Sequence, residues 1–365
     1  MRKLFLLSLQ GILAFTLAAQ IPSGYYATLQ GKQTASLKTE LHTIICQDTT
    51  HYLTYGSGTN HTWQGFYSTD RDELTDLVID MYSDSLRYFP TNYVSLRYPG
   101  FAQKIHIEHS VPKSWWRCDI DHPDCAAEDL NHLYPADGTT NSSKNDNPLG
   151  IVSGIPTKNN GVSKIGPAVY DGYVGNVFEP ADQFKGDFAR SYFYMATAYE
   201  HYVNKWDTAK PENMMQSNTY PTLKPWAVQL LLQWHRQDPV SEKERIRVEK
   251  VFKIQKNRNP FIDYPELVEY IWGTLKDRPW GVIAGVGDQK LQFSITLSPL
   301  QDTINVDTNE KDLTCTVFSL NGQQLMKRKL NGSDSFSVLM LDNGMYFIKL
   351  QSGNKRTTKK FIINR

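Results

Sequence analysis

The hydrophobic pattern of this 365-residue chain changes character once, near Trp280, and this change limits the fold more than any other feature. Before it, several stretches place apolar residues at the spacing of one helix face. After it, seven short segments between 292 and 363 alternate apolar and polar residues, as strands do. The stretches with helical spacing are 37–45, 72–88, 188–205, 223–234, 241–255 and 265–275.

We therefore predict an α+β chain in which a mainly helical domain is followed by a small all-β sandwich. The helical domain is expected over 20–280, a linker over 281–290 and the sandwich over 291–365. Within the helical domain, residues 100–185 are rich in Gly, Pro, Asn and Asp. Irregular segments of this length inside a compact domain are usually functional, so we look there for the chemistry.

The first residues of the chain predict export. Arg2 and Lys3 precede an apolar run that ends in small residues near Ala19, which is the pattern of a signal peptide. This run is too short for a bilayer, which needs about 20 apolar residues, and no later segment is suitable. We expect 1–19 to be removed and the mature protein to be soluble, either extracellular or on the outer cell surface.

The overall charge gives no sign of a polyanionic partner. Lys and Arg total 39 and Asp and Glu total 38, and the part between 20 and 290 is net acidic. A nucleic acid would therefore have to bind at a local basic patch rather than through overall attraction.

Four cysteines bear on the structure of an exported chain. Cys118 and Cys125 enclose a short polar loop, and a disulfide between them would contribute about 2–3 kcal/mol in the loop-closure model. The alternative is a zinc site with His122, although neither CxxC spacing nor a second cysteine pair is present. We expect Cys46 and Cys315 to be buried thiols.

Side chains suited to metal-assisted hydrolysis concentrate between residues 105 and 147. Residues 104–112 predict a short strand ended by proline, with His106 and Glu108 on one face and His109 on the other. A carboxylate supplies a hard oxygen ligand for a divalent ion. A neutral imidazole, with an ordinary pKa of about 6.5, can take a proton from water.

A second strand and a helix are predicted to follow. The strand lies over 129–135, and the helix opens within 141–147. There Asn141 would offer an amide oxygen to the same ion, and Lys144, one turn on, would face a phosphate. One metal ion and one base held close together can hydrolyse a phosphodiester. A lone carboxylate plus an amide would hold Mg²⁺ loosely, with water and phosphate completing its shell.

Each of these candidate residues also has a structural interpretation that does not involve catalysis. A Glu-His pair can be a surface ion pair, and an Asn cluster is often a loop with Asx-turns. His106 and His132 can be hydrogen-bonded structural residues. The order of the pieces along the chain, strand, strand and then helix, favours the catalytic interpretation.

Residues 108–116, Glu-His-Ser-Val-Pro-Lys-Ser-Trp-Trp, resemble the catalytic motif of the endonuclease I family of secreted bacterial non-specific nucleases. Four further segments resemble motifs of that family in the same order, and the likeness covers about 22–275. These segments are 129–141, 178–190, 234–241 and 255–263.

The resemblance implies a nuclease domain over 20–280 built around a ββα-metal (His-Me finger) core. It implies that His109 is the general base and that Glu108 and Asn141 bind Mg²⁺, with Mn²⁺ or Ca²⁺ as alternatives. Lys113 and Lys144 would contact substrate phosphates. DNA, and often RNA, would be cut without strict sequence preference to leave 5′-phosphate ends.

Three positions depart from the family pattern. Asn131 stands where many relatives carry His, Lys144 where Arg is common, and Val248 where Asn is usual. A lysine in place of arginine turns a bidentate phosphate clamp into a point charge.

The arginine that would stabilise the transition state is not identified by the resemblance. Arg117 and Arg190 are the candidates. Arg190 has an alternative interpretation as a structural residue that pairs with Asp187 or Glu179.

The tail has a resemblance of its own. Residues 318–323 and 343–350, followed by a basic end, resemble the type A C-terminal sorting domain of the type IX secretion system. This implies recognition by outer-membrane export machinery, and it leaves open whether the product is released or tethered. The alternative is a substrate-binding β-module, which no aromatic ladder or acidic cluster supports.

Two classes of function remain. The first is a secreted, monomeric, Mg²⁺-dependent endonuclease, and the second is a catalytically inactive surface-displayed binding or adhesion protein on the same scaffold. The presence of Glu108, His109 and Asn141 favours the enzyme. A zinc deaminase interpretation of His106 and Glu108 fails because no Pro-Cys-x-x-Cys follows.

Overall fold

The computed structural model divides the chain into two compact units, one ending at Gly281 and the other beginning at Val282. It describes residues 21–47, 50–90, 104–116, 126–281, 293–298, 303–308, 311–319, 323–352 and 355–363. The predicted leader over 1–19, Arg117, and the predicted disulfide between Cys118 and Cys125 lie outside the described residues. No helix in the described ranges has the length and apolar character needed to cross a membrane.

The first unit is mainly helical, with short antiparallel strands between its helices. Its helices are α1 (Thr34–Ile45), α2 (Thr62–Thr69), α3 (Gly138–Lys144), α4 (Lys185–Ala198), α5 (Pro225–Gln237), α6 (Glu242–Gln255), α7 (Pro260–Asp263) and α8 (Leu267–Ile271). Its strands are β1 (Ile105–His109), β2 (Leu133–Asp137), β3 (Lys158–Asn159), β4 (Lys164–Tyr170) and β5 (Tyr173–Glu179). The predicted α+β class is confirmed.

Helix α4 lies at the centre of this unit. All of its residues are buried, and it packs against α1, α5 and α7. A helix that is covered on every side belongs in the core of a domain. The predicted helices over 37–45, 188–205, 223–234 and 241–255 correspond to α1, α4, α5 and α6, although α4 ends at Ala198 and a short 3₁₀ turn follows.

The helix predicted over 72–88 is wrong. This segment instead forms turns and isolated antiparallel bridges, and Leu74, on the predicted apolar stripe, is 97% exposed. The Asp72 carboxylate accepts hydrogen bonds from the backbone N–H groups of Leu74 and Thr75. Those bonds close a turn, and Asp76 follows it with φ of 59°, a left-handed conformation that interrupts a right-handed helix.

Three further expectations need correction. The helix predicted over 265–275 is only the five residues of α8. The segment expected to be irregular contains the β4–β5 hairpin, in which Tyr170 pairs with Tyr173. Cys46 was expected to be buried but is exposed at the end of α1, where its Sγ donates to the carbonyl of Ala198 at 3.3 Å.

The second unit consists of antiparallel strands in two sheets. The strands are β6 (Phe293–Ser298), β7 (Thr303–Thr308), β8 (Leu313–Ser319), β9 (Gln324–Leu330), β10 (Asp334–Ser337), β11 (Gly344–Ser352) and β12 (Lys355–Ile363). The sheet orders are β10-β7-β6 and β12-β11-β8-β9. Side chains of both sheets, such as Val306 and Val317, share one buried core, and Cys315 is buried in it as predicted.

Candidate active site

The segment with the candidate residues folds as two antiparallel strands followed at once by a helix. Strands β1 and β2 pair so that His106 lies opposite Ala136 and Glu108 opposite Tyr134. Helix α3 begins directly after β2 and packs against both strands. The predicted order of elements is confirmed, although β2 begins at Leu133 and α3 begins at Gly138.

A sharp junction between β2 and α3 holds this arrangement together. Asp137 caps the helix, because its side chain accepts from the backbone N–H of Thr140 at 2.9 Å. A Cβ atom on Gly138 would lie 2.7 Å from Nε2 of His106. Any side chain at position 138 would therefore require the His106 ring to move, and glycine leaves that ring in place beside the start of α3.

Glu108 and Lys144 meet across the strand–helix interface. The ammonium of Lys144 donates to Oε1 of Glu108 at 2.8 Å, and the two side chains are 0% and 9% exposed. Burial raises the pKa of Glu108, and the neighbouring positive charge of Lys144 opposes that rise. Lys144 was expected to face a phosphate, and it contacts the candidate metal-binding carboxylate instead.

Asn141 lies one turn before Lys144 on the same side of α3. Its side chain is partly exposed and makes no hydrogen bond with the described part of the chain. One carboxylate and one amide oxygen fit a hard divalent cation that keeps several water ligands. The described residues contain no group of three or more His, Cys, Asp or Glu side chains that could hold a metal ion.

His109 is held in one orientation and one tautomer. Its Nε2 lies 3.1 Å from the carbonyl oxygen of Ala127. A carbonyl can only accept, so Nε2 carries the hydrogen and Nδ1 keeps its lone pair. Burial, aided by the neighbouring His132, holds the pKa of His109 well below its ordinary value of 6.5. The ring is therefore a neutral imidazole whose basic Nδ1 makes no hydrogen bond with the part of the chain that the structure describes.

Aromatic rings surround His109. Tyr55 stacks on it, with ring centroids 5.5 Å apart and planes 18° apart, while Trp116 and His132 approach within 5.9 and 5.6 Å. His132 is fully buried, its Nε2 donates to the carbonyl of Ala126 at 2.6 Å, and burial lowers its pKa to about 4. These contacts favour the structural interpretation of His132.

Tyr55 is a residue that the sequence analysis missed. It lies in a loop far from the motif segment, and nothing distinguishes it among the 20 tyrosines of the chain. Lys113, a candidate phosphate ligand, places its ammonium 5.9 Å from the centroid of the Tyr55 ring. Lys113 is only half-buried, so its charge is accessible beside His109.

Each nitrogen of the Arg190 guanidinium donates to an acceptor among the described residues. It is fully buried, and its Nε and a terminal nitrogen donate to the two carboxylate oxygens of Glu244 at 2.5 and 2.8 Å. Its other terminal nitrogen donates to the carbonyl of Asp238 at 2.8 Å. The contacts favour the structural alternative, with Glu244 as the partner in place of the expected Asp187 or Glu179.

Comparisons with known proteins give the class of this protein. Residues 33–266 match the family model described as Endonuclease I, and residues 298–364 match the secretion system C-terminal sorting domain. The chain is 34% identical to an extracellular ribonuclease of Bacillus subtilis (strain 168) over 252 residues, which cover 68% of this chain and 78% of the relative. An extracellular ribonuclease of Bacillus amyloliquefaciens is 33% identical over 254 residues, with the same coverage.

These findings define a hydrolytic nuclease that is secreted or carried on the cell surface. The chain belongs to the endonuclease I family. Nucleases of this family generally depend on a divalent metal ion. The predicted family, enzyme class and sorting domain are thereby confirmed, and the sorting domain implies an interaction with a secretion machinery.

Proposed function

We propose that this nuclease hydrolyses phosphodiester bonds of both DNA and RNA with His109 as general base and one divalent cation, Mg²⁺, held by Glu108 and Asn141. The observation that carries the proposal is the hydrogen bond from Nε2 of His109 to the carbonyl of Ala127, which leaves Nδ1 unprotonated. A strand-borne imidazole of this kind, next in the chain to a buried carboxylate, is suited to deprotonate water beside a bound cation.

The chemistry follows from these roles. Nδ1 of His109 takes a proton from water while the water oxygen attacks phosphorus and the bond from phosphorus to the 3′-oxygen breaks. Because the bond to the 3′-oxygen breaks, the phosphate stays on the 5′-oxygen of the product, and solvent protonates the leaving 3′-oxygen. When bound, the cation supplies charge stabilisation at the scissile phosphate and the leaving oxygen. The ammonium of Lys113 binds a phosphate of the same strand.

The substrate follows from the nucleophile. A base that activates water does not need the 2′-hydroxyl of RNA, so the same residues can cut DNA. The names of the two Bacillus relatives support RNA as a substrate. We therefore expect both nucleic acids to be cut, without strict sequence preference.

The test compares cleavage of supercoiled plasmid and of a labelled RNA, each with Mg²⁺ and with excess EDTA, using a His109→Gln variant as control. We expect both substrates to be cut with Mg²⁺, neither with EDTA, and 5′-phosphate ends in each case. Cyclic 2′,3′-phosphate ends on RNA together with an intact plasmid would contradict the water mechanism.

The metal assignment has its own test. Asn141→Ala should weaken Mg²⁺ affinity and activity together, because it removes an oxygen ligand from a sparsely held ion. Raised Mg²⁺ should partly restore the activity of this variant. Unchanged Mg²⁺ affinity in calorimetry of Asn141→Ala would mean that the ion binds elsewhere.

We also propose that the second unit is a type A signal of the type IX secretion system. Its match to a secretion sorting domain and its separate core support this role. On this proposal the unit is recognised by outer-membrane export machinery and takes no part in catalysis.

A further inference from the structure

Two lysine–glutamate pairs in the first unit are similarly buried but differ in the number of hydrogen bonds that the lysine ammonium donates. In one pair, Lys38 lies 2.9 Å from Glu200, with side chains 0% and 8% exposed. In the other, Lys144 lies 2.8 Å from Glu108, with side chains 0% and 9% exposed. The ammonium of Lys38 also donates to the carbonyl of Thr219 at 2.7 Å. The ammonium of Lys144 has Glu108 as its single acceptor within the described residues.

An ammonium group has three donors, and a buried charge is costly unless hydrogen bonds satisfy it. Lys38 meets this requirement better than Lys144, which leaves two N–H donors without a described acceptor. Within the described residues, the Lys144–Glu108 pair is therefore less completely hydrogen-bonded than the Lys38–Glu200 pair. The incompletely bonded ammonium contacts Glu108, the carboxylate that would bind the metal ion. Lys144 also lies on the same side of α3 as Asn141.

We propose that Lys144 is the resident counter-cation of Glu108, an ammonium that neutralises the carboxylate before metal binds and gives up Oε1 when metal arrives. This inference rests on the proposed function, because it takes Glu108 as a metal ligand. A divalent cation on this carboxylate would lie close to the ammonium, and two cations that share one anionic group repel each other. Lys144 thus keeps the buried Glu108 carboxylate paired with a positive charge in the metal-free protein, and it lowers the affinity of the site for metal.

The same side chain gains a new partner when metal is bound. An ammonium released from Oε1 stays tethered one turn from Asn141, where its donors can bind a non-bridging oxygen of the substrate phosphate. The two contacts of Lys144 are then compatible. The resemblance implies a contact with phosphate, and the structure shows a contact with Glu108. Lys144 is accordingly a positioning residue that tunes the metal site.

The experiment measures thermal stability and metal affinity of the mature protein with and without Mg²⁺ or Mn²⁺. The variants are Lys144→Met, which removes the charge, Lys144→Arg, which keeps it, and Lys38→Met as the matched control. We expect both methionine variants to lose roughly 10 °C in Tm without metal, since each leaves a buried carboxylate unpaired. Added metal should raise the Tm of Lys144→Met more than that of wild type.

The other variants separate this role from a purely structural one. We expect calorimetry to show Mg²⁺ binding about fivefold tighter or more in Lys144→Met, because ligands that compete for one group are coupled reciprocally. Lys144→Arg and Lys38→Met should show the wild-type metal response. Lys144→Gln, which keeps a donor without the charge, replaces Lys144→Met if the latter does not fold, with the same expectation.

The outcomes distinguish failure of the counter-cation role of Lys144 from failure of the metal assignment. A metal-induced Tm shift in Lys144→Met that equals or falls below that of wild type would overturn the counter-cation role while leaving the metal site in place. No metal-induced shift in either protein would overturn the metal assignment of the proposed function as well. A larger shift in Lys144→Met alone supports the proposal.

Discussion

His109 combines burial with an available basic nitrogen. Burial and nearby positive groups keep its ring neutral, and the Ala127 carbonyl occupies Nε2 so that Nδ1 remains basic. We expect His109→Gln to lower kcat by roughly 10²–10⁴, the range for loss of a general base, because glutamine keeps the hydrogen bond but cannot accept the proton. Circular dichroism and Mg²⁺ titration should remain as in wild type. Activity within about tenfold of wild type would remove His109 from the mechanism.

Tyr55 sets the plane of the His109 ring by stacking on it. A base displaced by even about 1 Å can lose up to a hundredfold in rate. We expect Tyr55→Leu to lower kcat by roughly tenfold or more with little change in KM. Tyr55→Phe should keep the stack and restore the rate. The stacking role fails if the leucine and phenylalanine variants are equally active.

One side chain of helix α6, Arg247, holds the start of β2. Arg247 donates bidentately to Asp70 and also donates to the carbonyls of Leu130 and Leu133, just before and at the start of β2. All four acceptors lie outside α6, so the guanidinium joins three parts of the chain. The position of β2, and with it that of α3, depends on this buried charge.

Arg247→Met should therefore be severely destabilising. Removing one partner of a buried pair leaves an uncompensated charge, and we expect a loss of about 3–5 kcal/mol in the free energy of unfolding. The control is Arg236→Met, whose pair with Glu269 is largely exposed on the arginine side and should contribute less than about 1 kcal/mol. Denaturant unfolding measures both. Similar losses in the two variants would contradict this role of Arg247.

The packing of α5 predicts a pH dependence of stability. His235 donates from Nε2 to the carbonyl of Pro265 and lies near the positive charge of Arg190. The negative charges of Glu244 and Glu269 have smaller effects, which raise the pKa of His235. Burial, with the charge of Arg190, lowers the pKa of His235 from 6.5 to about 4. As the pH falls, His235 is protonated in the unfolded chain before it is protonated in the folded one. The contribution of neutral His235 to folding stability is therefore complete above pH 6.5 and is lost as the pH falls toward 4.

The matched variant for this effect is His235→Gln, whose amide can donate to the Pro265 carbonyl and accept from Arg190 as the imidazole does, but does not titrate. Between pH 7 and pH 4, wild type should lose about 3 kcal/mol of stability relative to the variant. Urea unfolding at several pH values measures this difference. Parallel stability curves for the two proteins would show that His235 titrates normally in the folded state.

The two units of the chain have separate cores and separate proposed roles. The candidate site lies within the first unit, and the second unit buries a core of its own. The tail carries 10 basic and 6 acidic side chains over 291–365, so a role in holding nucleic acid is the competing interpretation. That role would make binding weaker and less salt-dependent after truncation.

Truncation near residue 285 should leave the activity and salt dependence of the purified enzyme near wild type, but retain the protein inside the cell envelope. Fractionation of cells and a nuclease assay on purified protein give the two measurements. Continued export, or loss of most activity in vitro, would show that the tail is not primarily a sorting signal.

Local patterns in the sequence were enough to predict the order of elements. The strand with Glu108 and His109, the second strand and the helix bearing Asn141 follow one another as expected, and alternation located the strands of the tail. The β4–β5 hairpin was overlooked although Asp171-Gly172 is a hairpin turn signal. The false helix over 72–88 failed because a periodic apolar pattern says nothing about the left-handed backbone at Asp76, which interrupts an α-helix.

The order of the candidate groups along strands and helices can be predicted from the sequence, because strand and helix periodicity are local properties of the chain. Which of these groups come into contact depends on the packing of distant segments. Lys144 reaches Glu108 across 36 residues and Arg190 reaches Glu244 across 54, and no spacing rule connects such positions. Tyr55 stacks on His109 for the same reason. These contacts arise where packing of a shared core brings distant segments together, and those of Lys144 and Tyr55 set the charge and orientation of the candidate site.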